Sequence, residues 1–382
     1  MRKIEFVLIL IAIVLFSCNS KKRTTNKTKI ADILNYQENN AVRWNKFGAN
    51  IRNTAKADIT MPTTQAYEYL KFKTAGRIST SPSMAKGIVY FGSSDHRLYA
   101  ISLAEKKILW SFNSGAEIRS TPGIFNDVVY FGSSDSNFYA LEAATGKLKW
   151  KFKTGDIIVS SPNYDNGILF FGSYDHTFYA IDAMSGRLKW KYTTNGAIYS
   201  SSALDSNQVY FGSLDGFMYS LLKTNGKLQW KFKAGDGIVS SPALANNKIY
   251  FGCNDDYLYA LNRANGNMIW SYKSNDAIGS SPAVDNSQVY FGSYDYKFYC
   301  IDANTGTEKW FLQTDGPIHS SPALTDNIVY FTSDDFNLYA IDKNDGKEDW
   351  HFRIGNRVHS SPSIYKGMIL FGSFDNTLYA IK

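Results

Sequence analysis

Aspartate recurs in this chain at a fixed interval, at Asp95, Asp135, Asp175, Asp215, Asp255, Asp295, Asp335 and Asp375. Eight carboxylates in register could form a ring of acids or a cation site if they faced one axis. Repetition argues against that chemistry, because a single axial site has no use for eight equivalents. A short carboxylate between two strands instead accepts backbone N–H groups of the turn, so these residues are expected to be structural. The five histidines, His96, His176, His319, His351 and His359, show no metal-ligand spacing. No Gly-rich phosphate loop and no Gly-x-Ser-x-Gly nucleophile motif occurs. Cys253 and Cys300 fall at non-equivalent places in the repeat and are expected to be reduced and buried, without a disulfide. No catalytic, cofactor-binding or metal-binding residue is assigned on these grounds.

The aspartates belong to a larger unit. Trp110, Trp150, Trp190, Trp230, Trp270, Trp310 and Trp350 also stand 40 residues apart, and the text around them recurs almost unchanged. Such a period means one supersecondary unit copied along the chain. Each copy holds four short apolar-alternating runs, in the second copy 118–124, 128–133, 138–142 and 148–152, parted by Asn, Asp and Gly turns. Four antiparallel strands in 40 residues make the blade of a β-propeller, so an all-β, eight-bladed propeller is expected over 61–382. The last unit ends after its third strand, and residues 68–74, with Leu70 at the Trp position, read as an orphan fourth strand. The N-terminal strand is therefore expected to complete blade eight and cover an edge that would invite pairing with other chains. The Trp rings should pack between blades, and the Gly of each Phe-Gly-Ser should admit a close backbone; Thr332 replaces it in unit seven.

What repeats serves the fold, so function is sought in what varies. Ile recurs two residues before the first-strand Ser of each blade, with Val358 last, and its neighbours differ. In order they read Arg77/Ser79, Glu117/Arg119, Ile157/Val159, Ala197/Tyr199, Gly237/Val239, Ala277/Gly279, Pro317/His319 and Arg357/His359. Blades seven, eight, one and two, contiguous once the ring closes, hold the charged and His residues. Arg77, Glu117, Arg119, Tyr199, His319, Arg357 and His359 are accordingly the candidate partner-binding face. The second-to-third strand turns are expected to add Tyr174, Leu214, Tyr294, Phe374, His96, His176, Tyr257 and Tyr296 to it. Exposed aromatics beside Arg are the composition of protein-recognition surfaces.

Ser-Ser-Pro, Val-Tyr-Phe-Gly-Ser-x-Asp, Leu-Tyr-Ala-Ile-Asp and Thr-Gly-Lys-x-x-Trp, in this order, resemble the pyrroloquinoline-quinone (PQQ)-type propeller repeat over about 67–382. That family includes quinone-dependent dehydrogenases and non-catalytic lipoproteins that bind other proteins. The resemblance to the dehydrogenases implies long insertions, a pair of adjacent cysteines and a Trp beneath the cofactor. This chain keeps strict 40-residue spacing, has no Cys-Cys and has no Trp off the series inside the propeller. No cofactor and no enzymatic activity are therefore expected; a PQQ-binding or other small-ligand propeller, an oxidoreductase among them, is the alternative. Length, repeat type and N-terminus resemble the lipoprotein subunit of the outer-membrane β-barrel assembly machinery.

Residues 1–17 read as a lipoprotein signal peptide. A basic start precedes an 11-residue apolar run at 6–16, too short to span a bilayer, that ends in Leu15-Phe-Ser-Cys18, similar to a lipobox whose Cys18 is lipidated. Residues 18–60 follow as a cationic tether and a lead-in around Trp44 and Phe47, a segment that in this family packs against the outside or base of the ring. Eleven of the 41 Lys and Arg and four of the 34 Asp and Glu fall in 1–60, which therefore carries the whole +7; the rest is neutral. A neutral propeller lacks the basic face a nucleic-acid binder needs. A monomeric propeller is expected, anchored by lipid in the bacterial cell envelope, facing the periplasm from the outer membrane. Its expected partner is an envelope or outer-membrane protein.

Overall fold

The structure is a computed structural model that describes residues 44–61, 66–285 and 287–382. The signal peptide, Cys18 and the cationic tether lie outside the described residues. Every assigned element is a strand, and the strands form eight four-stranded antiparallel sheets. Blade one consists of β2 (Ser83–Ala85), β3 (Ile88–Gly92), β4 (Arg97–Ser102) and β5 (Lys107–Asn113), and six blades repeat it. The eighth pairs Ser363–Tyr365, Met368–Gly372 and Thr377–Ile381 with β1 (Glu68–Lys73), the expected closing strand.

Burial follows position in the blade. β3 is buried throughout and β4 nearly so, because neighbouring blades cover both their faces; β5 keeps a half-exposed alternation at the outer edge. The repeated aspartate works as a turn clasp. In all eight blades its Oδ2 accepts the hydroxyl of the Tyr four residues on, as Tyr99 donates to Asp95. Its Oδ1 accepts the backbone N–H two residues on in seven blades. Tryptophan Nε1 donates to a carbonyl 33 residues on in six blades, bracing each outer strand.

The Gly of Phe-Gly-Ser and the Ile before the first strand form one joint between blades. A Cβ on Gly92 would sit 2.3 Å from Ile118 Cγ2, and the same holds at six further joints. The seventh blade breaks both rules at once, since Thr332 faces Val358. The smaller side chain makes room for the larger one, and Thr332 Oγ1 donates to the carbonyls of Val358 and Ser360. Val358→Ile alone should therefore overpack this joint by about 1–3 kcal/mol. Adding Thr332→Gly should return most of that loss, a coupling read from urea unfolding of the two single variants and the double. Additive losses would mean the two exceptions are unrelated.

The central channel is held by hydroxyls. Ser81, Thr121, Ser161, Ser201, Ser241, Ser281, Ser321 and Ser361 each accept, on the side-chain oxygen, the backbone N–H of the equivalent residue one blade earlier. Ser361 donates to Ser81, so the belt closes across the join of the ring. Below it, the described part of the lead-in runs around the channel's inner wall. Carbonyls of Trp44, Asn45, Ile51, Arg52, Thr54 and Ala55 accept the N–H of Met84, Ile124, Leu204, Leu244, Val284 and Leu324, one position in six blades. The lead-in therefore sits at the base of the ring and inside it, not on its outside, and the boundary drawn at residue 60 divides one packed unit. A segment at that place can satisfy inner-strand donors that have no further strand to pair with.

Candidate functional site

At the end of the channel opposite the lead-in's wall contacts lies a cavity of about 530 Å³, bounded below by the hydroxyl belt and Phe47. Each Ile is buried against the Gly of the preceding blade and fixes the backbone beside it. The residue after it, Ser79 and its equivalents, lines the cavity in all eight blades. The residue before it lines the cavity only at Arg77 and Glu117.

One arc of the mouth is a continuous stack. The His319 and His359 rings lie 4.2 Å apart at 25°. Tyr294 covers the outer side of His319 at 4.4 Å, and Phe374 that of His359 at 4.5 Å. The Arg77 guanidinium sits over Phe374 at 5.1 Å, a cation–π contact that extends the stack into blade one. Gly279 makes room for this arc, because a Cβ there would meet the Tyr294 hydroxyl at 2.2 Å. Beneath the imidazoles lies the nearly buried Asp334 carboxylate. His359 Nε2 is 3.2 Å from Oδ1 and 3.3 Å from Oδ2, and His319 Nε2 is 3.6 Å from Oδ2. Burial pushes His319 down to about 4, and the neighbouring His359 and Arg357 charges push the same way against Asp334, so its imidazole is neutral at pH 7.

The other expected residues are placed differently. Glu117 and Arg119 pair with one another at 3.0 Å on the cavity wall, so Arg119 is not a free cation. Tyr199 is exposed beside Tyr174, with ring centres 6.2 Å apart. Arg357 does not line the cavity; it stands exposed outside it. His96, His176 and Tyr296 also fail to line it. They occupy a turn position with φ near +65 to +71°, which directs their side chains away. Tyr257 starts a strand outside the lining. Asp334 was missed, although it is the one acid at a position that reads Ser, Ser, Tyr, Leu, Asn, Tyr, Asp and Phe around the ring.

A family profile described as outer membrane protein assembly factor BamB matches residues 37–160, 153–350 and 254–382. The chain belongs to that family. A comparison with curated proteins returned no match. Among solved structures, BamB from Moraxella catarrhalis superposes with a TM-score of 0.74 at 15% identity, covering 83% of this chain and 100% of that one. The computationally designed Ika8 protein gives 0.74 at 17%, covering 82% and 98%. Quinohemoprotein alcohol dehydrogenase from Comamonas testosteroni gives 0.80 at 15%, covering 93% and 84%. At these identities the likeness is one of fold. Assembly factor, designed protein and dehydrogenase thus share this propeller fold.

Proposed function

We propose that this propeller is a non-catalytic scaffold of the bacterial cell envelope, holding another envelope protein at the mouth of its channel. The observation that carries the reading is the asymmetry of that mouth. On a frame repeated eight times, a single arc gathers stacked aromatic rings, two histidines and an arginine, the residue types that anchor protein interfaces. The family's description as an outer membrane assembly factor supports the same reading, as do the lipobox-like Leu15-Phe-Ser-Cys18 and the neutral propeller behind a cationic tether. Attachment through a lipid on Cys18, at the periplasmic side of the outer membrane, belongs to this proposal.

The dehydrogenase alternative asks for a quinone site, and the residues around the cavity do not fit one. None of the described tryptophans lines it; Trp44 lies at the base with the lead-in, and the others brace the blades. Cys253 and Cys300 are both free and buried in different blades, so no disulfide can lie over a cofactor there.

The test is capture of the partner from detergent-solubilised envelopes by the intact protein. Losing an anchoring residue costs an interface more than about 2 kcal/mol, or about 30-fold in affinity, whereas a surface truncation costs the fold less than about 0.5 kcal/mol. Arg77→Ala combined with Phe374→Ala should therefore abolish capture while the melting temperature stays nearly unchanged. Cys18→Ala should move the protein from the membrane to the soluble fraction. Capture that survives the double change but is lost on altering the outer rim would place the partner elsewhere and sink the assignment.

A further inference from the structure

We propose that His319, His359 and Asp334 form a binding site for one divalent metal ion of borderline softness, zinc by its donor chemistry, at the mouth of the channel. The inference goes beyond the scaffold reading and does not depend on it.

Two series of positions face this part of the mouth, the residue after each buried Ile and the first residue of each second-to-third strand turn. Their 16 members include two histidines, one carboxylate and no cysteine. Those three departures come from two adjacent blades and converge, with one donor atom from each lying within 4.8 Å of the others. The repeat does not require any of them, since other blades fill the same places with Ser, Val, Gly or Tyr.

The separations suit coordination. Four ligands at about 2.0–2.1 Å around zinc stand about 3.3–3.4 Å from one another at the tetrahedral edge. Asp334 is 3.2 Å from one Nε2 and 3.6 Å from the other. Asp334 Oδ1 is buried and makes no hydrogen bond among the described residues, despite its 3.2 Å approach to His359. The carboxylate therefore has unused acceptor capacity aimed at the place where an ion would sit. The Tyr294 and Phe374 rings clamp the imidazole pair from both sides and limit its rotation. Three protein ligands beside an open cavity leave a fourth position for water or a group brought by a partner.

The donor set also says which ions are excluded. Calcium demands six to eight oxygens, and only one carboxylate is offered, whereas imidazole suits zinc, copper and nickel. Arg77 and Arg357 add positive charge nearby, against the single negative charge of Asp334, so the affinity should be micromolar rather than nanomolar.

The experiment uses untagged full-length protein, stripped with EDTA and titrated with Zn(II) at pH 7.5 by calorimetry, with melting temperature as the second readout. One equivalent should bind and raise the melting temperature, and Ca(II) should do neither. His319→Phe and His359→Phe keep the ring stack, and Asp334→Asn keeps its volume. Altering groups that merely orient ligands costs about 10–100-fold, so removing a ligand should weaken Zn(II) by at least as much. Binding that is unchanged in all three variants would overturn the site. So would a folded protein that binds no Zn(II) at millimolar concentration, in which case the cluster only shares protons between two imidazoles and a carboxylate.

Discussion

Truncation to residue 75 should open the ring, whereas truncation to residue 44 should leave it intact. β1 pairs with Thr377–Ile381 along its length, and backbone bonds between Tyr67 and Lys382 extend the pairing in both directions. Leu70 is buried at the place that tryptophan takes in seven blades. Phe72 lies 6.2 and 6.0 Å from the Phe91 and Tyr99 rings, so the same strand that completes blade eight also packs on blade one. Losing the buried Leu70 costs about 2–5 kcal/mol, and the half-buried Phe72 adds to it, before the unpaired edge is counted. A third truncation, to residue 58, removes most of the described lead-in but keeps β1 and isolates the strand's own share. Relative to it, the protein starting at residue 75 should melt about 5–15 °C lower, at about 1.5 °C per kcal/mol for a chain of this length. It should also associate in light scattering through the bare edge of blade eight. If these two truncations melt alike and remain monomeric, the hydroxyl belt alone closes the ring and β1 is dispensable.

The ring was legible because the period is a property of the text. Forty-residue spacing specified blade, strand order and closure, and the orphan strand at 68–74 announced its partner by carrying Leu70 in the tryptophan's place. Paired exceptions were harder to interpret. Thr332 and Val358 are each visible as departures, but only the fold shows that they touch. The mouth was half legible, because the residue after the buried Ile lines the cavity in every blade while the one before it does so only at Arg77 and Glu117, which separates His359 from Arg357. The lead-in escaped for a physical reason. Six of its contacts are to backbone N–H groups of the blades, and these leave no side-chain signature. One side-chain contact does leave a mark, at Asn163, which departs from the small residues of its series. Its Oδ1 caps the N–H of Tyr164 and its Nδ2 donates to Ile51, where the other contacted blades bond the lead-in backbone directly.

Lys46→Met should be among the most destabilising single changes in this protein, although it removes a buried charge. Burial pushes the Lys46 ammonium down to about 7, and it faces no carboxylate among the described residues. Its three N–H donors instead go to the carbonyls of Phe47 and Asn50 and to Asn53 Oδ1, each at 2.7 Å. Asn53 in turn donates through Nδ2 to the carbonyls of Ser202 and Pro242, tying the lead-in to blades four and five. Asn53 also has a φ of 54°, a left-handed conformation that Asn tolerates better than most residues, and Gly48 lies so close that a Cβ there would meet Asn53 Cα at 2.8 Å. Replacing a buried ion by an apolar chain is often neutral when its partners go with it. Here the partners stay, and each buried acceptor left empty costs about 1–3 kcal/mol. Lys46→Met should thus lose about 3–5 kcal/mol in chemical unfolding, and Asn53→Ala a similar amount. Because both changes dismantle one network, the double variant should lose much less than the sum. Strict additivity would show that Lys46 and Asn53 stabilise the base of the channel independently, and a neutral Lys46→Met would show that the lead-in is held by its backbone contacts alone.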